Sequence, residues 1–260
     1  MCFPITDVVD QLVTRAPLRF LGVWAHPDDE AYLSAGLMHR VVASGGHVAC
    51  ATATRGELGI DPDGPVSPHT FARRREAELR SSLAEVGAHS LRLLGFGDGR
   101  CARVPLPTGA AAIGRLLDAT NPDVVVTFGP DGVTGHPDHL AVHRWVTAAW
   151  HHHRRRQHHG ELLYAVLADE FLDRHRLLHE EIGLFGDHTP VGHTADQLAL
   201  TVALDDRELD RKRRALAAHA SQTGPLAASV GEATYRSWWG RETFRRPTAA
   251  ELADASCAVA

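Results

Sequence analysis

Lysine is nearly missing from this chain: Lys212 is the single example, and arginine supplies the rest of the 27 basic residues. Against 32 acidic residues the formal net charge is −5, and no block of like charge is long enough for a nucleic-acid arm or a membrane-surface helix. A small-molecule ligand fits such a surface better than a polyanion does. The arginine and alanine bias points to a G+C-rich coding sequence before any functional cause. Cysteine is scarce and scattered: Cys2, Cys50, Cys101 and Cys257 form neither a CxxC pair nor a disulfide framework and read as buried or inert thiols. No apolar stretch is long enough to span a bilayer. The start, MCFPITDVVDQLVTRAPLRF, lacks the basic residues and apolar core of a secretory signal, so the cytoplasm is the expected compartment. Repeats, low-complexity tracts and interdomain linkers are absent too. With 260 residues and 44% hydrophobic content, one domain over residues 1–260 is expected, the region from about 196 to 260 being a candidate cap over the site.

What is present is an alternation of strand and helix signals. Arg19 to Ala25 is a short apolar run suited to a buried strand, and Glu30 to Ala43 has helical spacing through Leu33, Leu37, Met38 and Val41, closed by Ser44-Gly45-Gly46. His47 to Thr54 reads as a second strand, followed by a Gly/Pro/Asp loop to about His69, long enough to act as a lid. Thr70 can cap a helix running to about Gly87; Leu91 to Gly95 predicts a third strand and Thr108 to Ala119 an amphipathic helix. Val124 to Phe128 is the clearest strand. A turn-rich loop, Gly129 to Gly135, leads to Pro137, which suits the first turn of a helix ending near His152. Glu161 to Ala168 and Gln197 to Leu204 predict further strands, and Asp205 to Ala220 a helix whose apolar stripe reads as core packing. This order implies an α/β fold with a Rossmann-like, doubly wound, mostly parallel sheet and helices on both faces.

Two polar strings stand where apolar runs end: Ala25-His26-Pro27-Asp28-Asp29-Glu30 and Gly135-His136-Pro137-Asp138-His139. In such sheets ligands bind beyond the carboxyl ends of the strands, where strand order reverses. His26 and Asp29, three apart across a proline bend, can turn toward one ion, and His139 completes a His/Asp/His set with one position left open, the pattern of catalytic zinc. Iron, cobalt or manganese would also suit it. Asp28 is the candidate general base, since a carboxylate beside a metal but not bound to it can take a proton from the attacking water; its alternative is a fourth ligand. His136, one turn from His139, is a candidate for stabilising an oxyanion or donating a proton. Asp138 would hold an imidazole in place or complement the helix dipole.

Plainer readings compete at each position. HPDDE alone can be a polar turn and helix cap. His139 and His143 are four apart and could chelate on their own, though without the glutamate usual beside the first histidine, so His143 ranks behind His26. His151 to His153 with His158 and His159, flanked by Arg154 to Arg156, read as a solvated helix end and loop. Gly95-Phe96-Gly97-Asp98-Gly99 resembles a phosphate loop but lacks the spacing and following helix of a dinucleotide fingerprint, so NAD is not expected.

The two strings resemble the signatures of the PIG-L or LmbE-like family of zinc-dependent N-deacetylases. Thr52-Ala53-Thr54-Arg55-Gly56-Glu57, Arg75-Glu76-Ala77-Glu78-Leu79, Leu94-Gly95 and Ala218-His219-Ala220-Ser221-Gln222 extend the resemblance over most of the chain. It implies a Rossmann-like fold and removal of an acyl group, usually acetyl, from the amine of an amino sugar or its conjugate. It implies zinc on His26, Asp29 and His139, Asp28 as general base, His136 at the oxyanion, and substrate contacts from Arg75 and, less specifically, Asp98. Members of the mycothiol pathway carry a tyrosine two residues before the first histidine of the second string, where this chain has Thr134. That departure argues against a tyrosine-assisted step and a mycothiol-type substrate. The partner expected is a small N-acyl amino sugar or conjugate, with no nucleic acid or membrane; a homo-oligomer is compatible. An amidase acting on a thiol conjugate of a glucosamine-type compound and a non-catalytic metal- or sugar-binding protein are the alternatives, the second disfavoured by the spare carboxylate of Asp28. The loop from Asp61 to His69 and the region after Ala168 are expected to set specificity.

Overall fold

A computed structural model describes residues 17–157 and 159–257; residues 1–16, including Cys2, His158 and residues 258–260 lie outside the described residues, as does the side chain of Cys257. Eight strands are present among the described residues: β1 (Arg19–Trp24), β2 (His47–Thr52), β3 (Ser90–Leu93), β4 (Val124–Phe128), β5 (Glu161–Ala168), β6 (Gly192–His193), β7 (Leu200–Ala203) and β8 (Arg241–Arg245). They form one sheet in the order β3-β2-β1-β4-β5-β8-β7, with β6 beside β5. β1 to β6 pair in parallel, whereas β8 runs antiparallel to both β5 and β7. The chain winds outward from β1 to β3, then returns to β4 on the other side of β1. Strand order therefore reverses between β1 and β4, the two strands that carry the polar strings.

Central strands are covered on both faces and so read as continuous apolar runs. Every residue of β4 is buried, as is every residue of β1 after Arg19. Nine helices among the described residues surround the sheet: α1 (Asp29–Ala43), α2 (Pro68–Val86), α3 (Leu106–Thr120), α4 (Pro137–Gln157), α5 (Asp169–Ile182), α6 (Asp206–Ala218), α7 (Ala220–Val230), α8 (Glu232–Trp238) and α9 (Ala249–Cys257). α1, α2 and α6 pack together as one layer, and α3, α4 and α9 as another. The architecture is the doubly wound α/β fold expected.

Several boundaries differ from the sequence reading for local reasons. α2 is capped by Ser67, not Thr70: the Ser67 side chain accepts the Thr70 amide, and Pro68 takes the first turn. α4 continues to Gln157, so His153 is a buried residue beside Asp118 at 3.4 Å and not part of a solvated end. The helix predicted over 205–220 stops at Ala218, where His219 breaks the backbone before α7 starts at Ala220. Its start is a capping box, Asp205 accepting the Glu208 amide and Glu208 accepting the Asp205 amide. Cys50 and Cys101 are buried free thiols. The segment from residue 196 onward contributes β7 and β8 to the same sheet.

Candidate metal centre

The first string turns from β1 into α1 through Asp28, whose backbone sits at φ 115°, ψ −30°. A non-glycine residue in that region needs support from its surroundings. The turn lets Asp29 reach back: its Oδ2 accepts the amides of Ala25 at 3.1 Å and His26 at 2.7 Å. Oδ1 is left facing His139 Nε2 at 3.4 Å. The second string follows β4 through a loop in which Gly132, Val133 and Gly135 all have positive φ. A side chain on Gly132 would meet the Cβ of His139 at 2.9 Å, so the close backbone approach requires glycine there. This approach lets the Gly132 carbonyl accept His139 Nδ1–H at 2.9 Å, which fixes the tautomer and leaves Nε2 with its lone pair. Phe128 stacks on the His139 ring at 4.1 Å and holds its plane.

Three donors converge as a result. His26 Nδ1 lies 3.2 Å from His139 Nε2 and 3.9 Å from Asp29 Oδ2, the oxygen on the two amides, and His139 Nε2 lies 3.4 Å from Asp29 Oδ1. Ligands about 2.0–2.1 Å from a tetrahedral zinc stand roughly 3.3 Å from one another, so the His26–His139 and His139–Asp29 spacings suit such an ion. Two imidazole lone pairs facing each other repel unless a cation lies between them. His136 offers a further nitrogen to the group of His26 and His139, and its ring meets His26 edge-on at 4.7 Å. His136 Nδ1 accepts the Asp138 amide at 3.1 Å, which leaves Nε2–H as a donor. His143, the competing chelate partner, has its Nδ1 against the Phe128 carbonyl at 2.9 Å.

A layer of carboxylates backs His26. Its Nε2 lies 3.1 Å from Asp98 and 3.3 Å from Asp138. Those three also lie close enough to form a ligand set, but the carboxylates are already engaged by the backbone. Asp138, fully buried, accepts the amides of Gly99 at 2.8 Å and Cys101 at 2.9 Å, and Asp98 accepts that of Leu58 at 2.8 Å. The glycine-rich turn that resembles a phosphate loop thus cradles Asp138. Burial disfavours charge on His26, yet the contacts with Asp138 and Asp98 outweigh it and draw its pKa up to about 10. Burial opposes the charge on Asp98, but His26 holds it down to about 2. Burial and the neighbouring His26 push His139 down to about 4. The two facing imidazoles are thus shifted in opposite directions, His26 toward the charged form and His139 away from it.

Asp28 stands apart from this donor set. Burial raises its pKa to about 6, against the pull of Arg75. Arg75, for which the resemblance implies a substrate contact, is 4% exposed. Its guanidinium donates to the Pro27 carbonyl, to Gly56 O at 3.1 Å and to Asp28 Oδ2 at 3.2 Å. The sequence assigns no role to Glu30 or His219, although they lie in the strings Ala25 to Glu30 and Ala218 to Gln222. Glu30, fully buried, accepts Asp28 N–H at 3.0 Å and Ser82 Oγ–H at 2.8 Å, and lies 2.7 Å from His219 Nε2. Burial opposes charge on both, but their contact holds Glu30 below and His219 above their ordinary values. Thr134 places its hydroxyl 3.3 Å from His139 Nδ1. A cavity of about 520 Å³ opens elsewhere, beside Tyr32, Phe171, His193, Trp238 and Trp239, and no residue of the donor set lines it.

Known proteins resemble this chain in sequence and in fold. The PIG-L family model, described as GlcNAc-PI de-N-acetylase, matches residues 21–150. A 1D-myo-inositol 2-acetamido-2-deoxy-α-D-glucopyranoside deacetylase of Mycobacterium sp. strain KMS is 30% identical over 247 residues, covering 83% of this chain and 78% of that protein. The enzyme of the same name from Corynebacterium diphtheriae is 30% identical over 236 residues, with coverage of 82% and 79%. Among solved structures, a conserved protein of Thermus thermophilus superposes with a TM-score of 0.62 at 25% identity, covering 89% of this chain and 95% of that one. A triple mutant of a deacetylase of teicoplanin biosynthesis has a TM-score of 0.65 at 16% identity, with coverage of 88% and 97%, a likeness of fold alone.

Proposed function

The chain belongs to the PIG-L family of GlcNAc-PI de-N-acetylases, and from that premise we propose that it uses a zinc ion on His26, Asp29 and His139 to remove acetate from an N-acetylglucosamine conjugate. As a member it is an N-deacetylase, a hydrolase of amide bonds. The observation that carries the finer reading is the convergence of His26 Nδ1, His139 Nε2 and Asp29 beside a carboxylate, Asp28, that Arg75 holds outside the donor set. Asp98 and Asp138 act on His26, keeping its Nδ1 aimed at the ion through Nε2.

When bound, the ion would act as a Lewis acid toward the amide carbonyl and make a coordinated water more acidic. Asp28 takes a proton from the attacking water, whose oxygen bonds to the carbonyl carbon. His136 Nε2–H donates to the developing oxyanion. As the C–N bond breaks, Asp28 returns the proton to the leaving nitrogen, and an amine and a carboxylate part. Arg75 keeps the Asp28 side chain oriented through both transfers. The loop after β2 exposes Leu58, Ile60 and Val66, and supplies an apolar approach for the part of the substrate beyond the sugar.

Acetate release from a panel of N-acetylated amino sugars, GlcNAc–inositol and thiol conjugates tests this reading, before and after chelation and with each of zinc, iron, cobalt and manganese restored. Chelator-sensitive release, restored best by zinc, is expected. One tightly bound ion per chain with every substrate returned intact would overturn it in favour of a binding protein. GlcNAc–inositol belongs in the panel despite Thr134, because the relatives from Mycobacterium and Corynebacterium are named for it.

A further inference from the structure

The string Ala218-His219-Ala220-Ser221-Gln222 takes no part in the chemistry above, yet three of its five side chains are anchored. Ser221 binds Glu78 of α2 through its amide at 3.1 Å and its hydroxyl at 2.6 Å. Gln222 donates to the Ile60 carbonyl at 3.0 Å. His219, completely buried at the break between α6 and α7, reaches Glu30 at 2.7 Å. Glu30 in turn accepts the backbone N–H of Asp28. Asp28 is thereby gripped twice: Glu30 holds its main chain and Arg75 its side chain.

We propose that His219 is a positioning residue for the deacetylation, acting through Glu30 to keep Asp28 in its left-handed backbone conformation. The inference rests on the assignment of Asp28 as the base. The φ of 115° at Asp28 is unfavourable for a residue with a side chain, so it persists only while its surroundings over-determine it. Glu30 Oε2 supplies the contact to Asp28, and Oε1 is fixed by Ser82 and His219 together. Without His219 the buried carboxylate keeps one side-chain partner, Ser82, and is free to turn away from the Asp28 amide. The metal donors have further anchors of their own, the Gly132 carbonyl for His139, the Ala25 and His26 amides for Asp29 and the carboxylates behind His26, none of which includes His219.

The test compares His219→Ala with His219→Gln, whose amide nitrogen can occupy the place of Nε2 and still donate to Glu30. The readouts are zinc content, steady-state kinetics on the best substrate of the panel, and hydrogen exchange of a peptide spanning residues 24–31. In the alanine variant kcat should fall about 10- to 100-fold, the range for lost outer partners of a metal site, with KM little changed, zinc still at one per chain and faster exchange at Asp28. The glutamine variant should recover most of kcat and of the protection. If His219→Ala fails to fold, Ser82→Ala decides instead, with the same pattern expected in milder form. Unchanged kcat and exchange, or a loss of zinc that parallels the loss of rate, would overturn the proposal. Wild-type protein inactive on the whole panel would point to failure of the functional reading and not of this one, because the exchange difference does not depend on substrate.

Discussion

At the scale of the residue, Asp28 and Asp29 are neighbours of the same type with opposite duties, and the backbone separates them. Asp29 begins α1 with one oxygen on amides and the other toward His139, whereas Asp28 faces Arg75. Asp28→Asn should therefore bind zinc normally and lose about 10²- to 10⁴-fold in kcat, the range for a general acid–base; metal analysis beside kinetics checks both halves, and normal turnover would sink the assignment. Gly56→Ala is the complementary probe. Gly56 has φ 65°, and an added Cβ would collide with the Arg75 guanidinium. Strain at a left-handed position plus this clash should cost about 1 kcal/mol or more in a urea melt and lower kcat with zinc retained. That His26, Asp29 and His139 come together was legible in the sequence, because two short strings at strand ends leave few other ways to meet. The choice of Nδ1 for His26 and Nε2 for His139 was not, since it depends on the Gly132 carbonyl and on Asp98 and Asp138. Glu30 was visible only as part of a string; its partners stand 52 and 189 residues away.

At the scale of the element, β8 shows what periodicity misses. Three of its five residues are charged, Arg241, Glu242 and Arg245, and the sequence pattern predicts no strand there. It is nonetheless an interior strand, between β5 and β7, because groups on other elements neutralise the two buried charges. Arg245 forms a two-point contact with Glu251 of α9 at 2.9 and 2.6 Å and lies 5.1 Å over the Tyr164 ring. Burial opposes ionisation of Glu251, but the Arg245 contact outweighs it and brings its pKa to about 2, from an ordinary 4.5. A carboxyl depressed by folding stabilises fully above its unfolded value and loses that contribution as pH falls toward the folded one. Glu251→Gln should thus lower stability at pH 7 by about 1 kcal/mol, allowing for partial solvent screening, and the gap from wild type should close between pH 4.5 and about 2. A gap that stays constant across that window would assign the loss to packing. By contrast β1 and β4 were readable directly, since burial on both faces leaves an unbroken apolar signature.

At the scale of the whole molecule, the candidate metal centre sits at the reversal of strand order, and the later half of the chain braces the earlier half. Lys212 of α6 donates to Glu242 of β8 at 2.8 Å and to the Tyr32 carbonyl of α1 at 2.7 Å. Glu242 also accepts the Gly36 and Leu37 amides of α1 at 2.7 and 2.8 Å. One buried ion pair thus joins three elements, two of them beyond residue 200. Lys212→Met should cost about 3–5 kcal/mol because Glu242 stays buried without its counter-charge. Lys212→Met combined with Glu242→Gln should cost clearly less; equal losses in the two melts would show that charge is not the cause. Such long-range ties are what a linear reading cannot supply, although the order of β1 to β4 and the place of both strings were plain from alternation.

The same lysine makes the molecule its own unfolding clock. Lys212 is the only ε-amine in the sequence and is 1% exposed. An amine-reactive acyl reagent finds no lysine side chain on the folded surface, so each mass increment at Lys212 records one departure of α6 from the sheet. The rate of that single modification, read by mass spectrometry, measures how often the brace lets go.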